Sequence, residues 1–65
     1  MSKTNVLVVE DESIVAKDIQ HSLVKLGYNV LAICSNGLDA IKNAEELLPD
    51  IILMDIMMEM QPVFL

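Results

Sequence analysis

Val6-Leu7-Val8-Val9-Glu10-Asp11-Glu12 and Ile51-Ile52-Leu53-Met54-Asp55 decide how this chain folds: each is a four-residue aliphatic run that ends in acid. Short aliphatic runs with polar flanks read as strands buried on both faces, the pattern of a parallel sheet. Val30-Leu31-Ala32-Ile33-Cys34 lies between them as a third strand, bracketed by Gly27-Tyr28-Asn29 and Ser35-Asn36-Gly37. The connecting segments carry helical spacing. Val15, Ile19, Leu23 and Leu26 predict one apolar stripe along residues 12–26, with Asp18, His21 and Lys25 on the far side and Gly27 placed to end the helix. Ile41, Ala44 and Leu48, widened by Ala40 and Leu47, predict a second stripe. Ser35 or Asn36 caps the start of this helix, Asp39 suits its first turn and Pro49 stops it.

The resulting order is β-α-β-α-β. Right-handed crossovers that reverse direction after the second strand give the strand order 2-1-3 and put the helices on opposite faces. The first strand is then central, and a crevice opens at the carboxyl ends of strands one and three. Glu10, Asp11 and Asp55 converge there although they are far apart in sequence. Carboxylates a few ångströms apart repel, and a divalent cation removes the conflict. Oxygen-only donors in a shallow, wet site suit Mg²⁺, which keeps several waters and takes a few carboxylates plus a phosphate.

Composition bounds the reading. With 65 residues the chain makes one domain at most, and chains near this size bury only about 60% of the surface their unfolded forms expose. Of its residues 54% are apolar, yet only Tyr28 and Phe64 are aromatic, so the core is aliphatic. Cys34 is the single cysteine, which rules out an internal disulfide. A lone thiol without a secretory leader fits a cytoplasmic setting. No apolar run approaches the roughly 20 residues of a membrane span. The net charge of −6, with four lysines and no arginine, argues against nucleic-acid binding, which needs a basic surface.

A strand ending in Val8-Val9-Glu10-Asp11-Glu12, then a helix, and later Pro49-Asp50-Ile51-Ile52-Leu53-Met54-Asp55-Ile56-Met57 resembles the receiver domains of response regulators. The likeness covers roughly residues 4–57, about the first half of a usual receiver, and includes Gly27-Tyr28, Asn36-Gly37 and Ala40. It implies a flavodoxin-like doubly wound sheet, cut before strands four and five. The 2-1-3 order is a known property of that fold, so its agreement with the pattern adds no independent weight. The resemblance further implies that Asp55 takes a phosphoryl group from a sensor histidine kinase. Asp11 would ligate Mg²⁺ directly, Glu10 directly or through water, and the backbone carbonyl of Met57 would add another ligand. Such a chain is a phosphoacceptor that assists its own modification, not a turnover enzyme.

The chain departs from the family after Met57, so residues 1–57 read as a partial receiver and residues 58–65 as a divergent tail. Receivers carry a Ser or Thr after the fourth strand and a Lys after the fifth, whereas no Ser or Thr follows Ser35 and no Lys follows Lys42. A second reading therefore stands beside the first: a receiver fragment that is not phosphorylated and serves only as an oligomerising or interaction module. An uncovered third strand or bare helix faces would pair copies into a homo-oligomer. A Mg²⁺-dependent phosphohydrolase is the third reading; Met57 stands where such enzymes commonly carry a second Asp. The remaining polar residues have plain readings. Glu10, Asp11 and Glu12 taken alone would be a charge cluster capping a helix. His21, Lys17, Lys25 and Lys42 read as helix surface, Cys34 as a small buried hydrophobe, and Met54, Met57, Met58 and Met60 as packing.

Overall fold

The computed structural model describes residues 3–55, and of Asp55 the backbone alone. Its elements are β1 (Asn5–Glu10), α1 (Ser13–Lys25), β2 (Asn29–Cys34), α2 (Gly37–Leu47) and β3 (Ile51–Asp55). The three strands form a parallel sheet in the order β2-β1-β3. This is the order expected from the crossover rule, and it makes the most apolar strand the central one. Val6, Leu7, Val8 and Val9 are essentially inaccessible.

Alternation along β1 divides the core between the two faces. Leu7 and Val9 cluster with Cys34 and Ala40, with Ala32 and Ala44 packed against them. That is the α2 side. Val6 and Val8 point the other way, where α1 presents the buried Ala16. Small residues at Ala16 and Ala40 let each helix sit close to the sheet.

The amino ends of the strands are tied together by polar contacts. The Asn5 N–H donates to Asp50 Oδ2 (2.8 Å), and the Asp50 N–H donates to the Asn5 carbonyl (2.9 Å). Asn29 Nδ2 donates to Asn5 Oδ1 (2.8 Å), and the Asn29 N–H donates to the Thr4 carbonyl (2.9 Å). These bonds level the strands at one end and so fix which residues meet at the other. The pairing of β1 with β3 is regular, whereas that with β2 shifts between Val6 and Leu7, where Val30 and Ala32 are the partners.

Three expectations about burial are corrected. Leu26 is not on the buried face of α1: it is the C-cap and is 73% exposed, because the chain leaves the helix there and turns at Gly27 (φ 95°). The second stripe is rotated from the expected one. Ala40 is buried, but Ile41 and Leu48 are exposed, and Leu48 sits in the left-handed region (φ 50°) as the C-cap. Finally, β3 is not buried on both faces. Ile51, Ile52, Leu53 and Met54 are 38–60% exposed, since both helices pack over β1 and β2 and leave β3 at the sheet edge. A groove of about 320 Å³ separates α2 from β3, with Ala40, Ile41, Ala44, Ile52 and Met54 along it.

Candidate functional site

The regular pairing of β1 with β3 runs Val8 with Leu53, Val9 with Met54 and Glu10 with Asp55. Neighbouring strands lie about 4.8 Å apart, so the backbones of Glu10 and Asp55 are adjacent at the carboxyl edge of the sheet. Asp11 follows at once, exposed, in the turn that leads to α1. Of the four residues expected at the site, the fold therefore brings three positions together. The side chain of Asp55 and all of Met57 lie outside the described residues.

Among the described residues Glu10 is the one buried charged side chain, at 4% exposure. Its Oε1 accepts the Glu12 N–H at 3.0 Å, which folds the carboxylate back over the turn into α1. Glu12 is the N-cap of α1, yet its side chain makes no capping bond, and no acid occupies the helix's first turn. Helix capping by their own side chains is thus not what Asp11 and Glu12 do. Glu10 takes part in that turn, but from inside the protein.

The donor chemistry suits Mg²⁺: one buried and one exposed carboxylate stand beside a third acidic position, and all are oxygen ligands. Among the described residues no group of three or more His, Cys, Asp or Glu is placed to hold a metal. Glu10 and Asp11 are two donors of the expected set, whose remaining members are not described.

An open cleft of about 240 Å³ lies on the β2 side of the acidic pair. Glu10, Asp11, Lys17, Ser35 and Asp39 line it. Lys17 had read as helix surface, Asp39 as a first-turn residue and Ser35 as a candidate cap. The sequence did contain the signal. A central β1 has β2 as well as β3 for a neighbour, so the residues that follow β2 belong at the same edge as those that follow β1.

Comparison with known proteins agrees with this fold. Residues 6–61 match the family model of the response regulator receiver domain. The chain belongs to the response regulator receiver family. It is 40% identical over 53 residues to the alkaline phosphatase synthesis transcriptional regulatory protein PhoP of Bacillus subtilis, covering 82% of this chain and 22% of that one. It is 38% identical over 53 residues to the chemotaxis protein CheY of Thermotoga maritima, covering 82% and 44%. A protein-glutamate methylesterase/protein-glutamine glutaminase of Carboxydothermus hydrogenoformans is 41% identical over 59 residues, covering 89% and 17%. The receiver spans less than half the length of each of these relatives. No solved structure matches it. Among the described residues no helix is long and apolar enough to cross a membrane.

Proposed function

We propose that this receiver accepts a phosphoryl group on Asp55 from a sensor histidine kinase, in a Mg²⁺-dependent transfer, within a cytoplasmic two-component relay. The observation that carries the reading is the pairing of Glu10 with Asp55, which sets the family's acceptor position beside the acidic pair at one sheet edge. In this proposal Glu10, Asp11, Asp55 and the backbone carbonyl of Met57 hold the metal. A bound Mg²⁺ supplies charge neutralisation for the oxygens of the transferring group. The protein's own part is positioning. Glu10 is held by the Glu12 N–H, and Asp11 remains open to solvent and to the incoming phosphodonor. An added phosphoryl group carries more charge and more acceptor oxygens than a carboxylate, and so biases the surrounding surface.

The test is direct. Incubated with Mg²⁺ and acetyl phosphate, the chain should gain a labile adduct on Asp55, detectable by mass spectrometry. No adduct, under conditions in which a full-length receiver is labelled, would sink the proposal in favour of the interaction reading.

That second reading has its own support. Among the described residues the edge of β3 is uncovered and aliphatic, with an apolar groove beside it, and such edges recruit other chains. Self-association through β3 or the exposed helix faces is compatible with phosphoacceptance and is tested separately by sedimentation. The net charge of −6 supports a protein rather than a nucleic acid as the direct partner.

A further inference from the structure

Charge in the cleft beside the acidic pair is uneven. The carboxylates of Glu10, Asp11 and Asp39 line it against a single ammonium, that of Lys17. We propose that Lys17 is the built-in counter-charge of the acidic pair: its ammonium offsets these carboxylates across the cleft, and Mg²⁺ binds there against its repulsion. The inference rests on the reading that Glu10 and Asp11 hold Mg²⁺.

The placement follows from α1. Ser13, Ala16 and Lys17 stand at i, i+3 and i+4, on one face of the helix, and all line the cleft. Ala16 is buried, which fixes the direction in which that face turns. Helical side chains lean toward the helix N-terminus, so the Lys17 stem runs back toward Glu10 and Asp11, from which α1 departs. Lys17 is exposed, and its long flexible stem lets the ammonium follow the negative charge.

Neutral donors orient two of the acids without cancelling their charge. The Glu12 N–H donates to Glu10 Oε1 at 3.0 Å, and Asn36 Nδ2 donates to Asp39 Oδ2 at 3.2 Å. The charge of Asp39 is felt beyond its own contacts, since it helps raise the pKa of the Cys34 thiol at the end of β2. A cation on the opposite wall acts through the same open space. It opposes a divalent ion twice as strongly as a monovalent one, because the energy scales with the product of the charges.

Lys3 provides the control. It lies at the other end of β1 from Glu10, about 20 Å away at the rise of an extended strand. Screening falls off over about 10 Å at 0.1 M ionic strength, so Lys3 is out of reach of the acidic pair. Lys17→Gln and Lys3→Gln change the net charge equally, and a difference between them is local. Both lysines are exposed, and glutamine matches lysine closely in helix propensity.

The experiment measures Mg²⁺ affinity by calorimetry on the full chain at about 0.1 M ionic strength. Lys17→Gln should bind Mg²⁺ about threefold more tightly than the parent, whereas Lys17→Arg and Lys3→Gln should match the parent. Urea midpoints in the presence of a chelator give a second readout: Lys17→Gln should unfold at lower urea than Lys3→Gln. Equal affinities for the two glutamine variants, or weaker binding by Lys17→Gln, would overturn the proposal. If the parent itself binds no Mg²⁺, the metal reading fails. The chelator series then decides the role of Lys17 alone, and a midpoint for Lys17→Gln no lower than that of Lys3→Gln rejects it.

Discussion

Glu10 and Asp55 occupy one paired position across β1 and β3, at the carboxyl ends of two adjacent parallel strands. Glu10 is also buried and serves as a hydrogen-bond acceptor for the Glu12 N–H, so its charge and its acceptor oxygen are separable by mutation. Glu10→Gln can retain an oxygen for that N–H while removing the charge. We expect it to leave the fold intact and weaken Mg²⁺ binding about tenfold, or roughly 1.4 kcal/mol. A Mg²⁺ titration followed by calorimetry checks this, and an unchanged affinity would contradict the proposed role. Asp55→Asn, or removal of Mg²⁺ with a chelator, should abolish the acetyl phosphate adduct.

The centre of the sheet limits stability. Leu7 is fully buried and belongs to the cluster with Val9, Cys34 and Ala40. Leu7→Ala should cost about 2–5 kcal/mol through lost burial and the cavity left behind. Domains rarely exceed roughly 5–15 kcal/mol in total, and small ones sit at the low end. Loss of a cooperative thermal transition by circular dichroism is the expected outcome, and an unaltered melt would show that the core lies elsewhere.

The reading of strands succeeded where a single run decided it and failed where tertiary coverage did. Val6 to Val9 form the central strand, and Asn36 caps α2 as expected. Ile51 to Met54 carry the same apolar signal, yet they are exposed, because burial depends on which strand the helices cover. Periodicity likewise centred the second stripe on Ile41, Ala44 and Leu48 and gave Ala40 only its margin, yet Ala40 is the buried residue and Ile41 and Leu48 are exposed. The small side chain permits close packing of helix on sheet. Glu10 and Asp11 were legible because they end a strand. Lys17 was not, since its place beside the cleft follows from how α1 sits on the sheet.

The start of α2 depends on one side chain. Asn36 Oδ1 accepts from the Asp39 N–H, and among the described residues no other side chain caps that position. Asn36→Ala should destabilise the chain by about 1 kcal/mol. Asn36→Asp keeps the acceptor but sets a second carboxylate near Asp39, so its cost should shrink as salt rises. Urea midpoints at low and high salt separate the two effects; salt-independent losses for both variants would show that charge plays no part.

Cys34 supplies a pH signature. Burial raises its thiol pKa, the charge of Asp39 raises it further, and the Asn43 hydrogen bond opposes both. The folded chain therefore keeps this proton to a higher pH than the unfolded chain does. The associated stability is complete below the unfolded thiol's pKa and is lost as pH rises through and above it. Native Cys34 should react slowly with iodoacetamide at neutral pH, because the thiolate is the nucleophile and is scarce. Cys34→Ala should flatten the alkaline fall in urea midpoint; an equal fall in both proteins would assign it to other groups.

The β3 edge gives the last test. Ile52 is 45% exposed and lies on the groove that faces α2, and Ile51, Leu53 and Met54 continue an aliphatic edge with no strand beyond it among the described residues. If copies associate there, a lysine at the centre of the edge must be desolvated in the pair while remaining hydrated in the monomer. Charged edge residues oppose strand addition for this reason. Ile52→Lys removes little packing from the monomer, because the side chain is already half in water. It should therefore shift the sedimentation profile toward monomer while leaving the urea midpoint of a dilute sample nearly unchanged. A distribution identical to that of the parent chain would show that β3 is not the contact and would turn attention to Ile14 and Val24, the exposed aliphatic residues of α1.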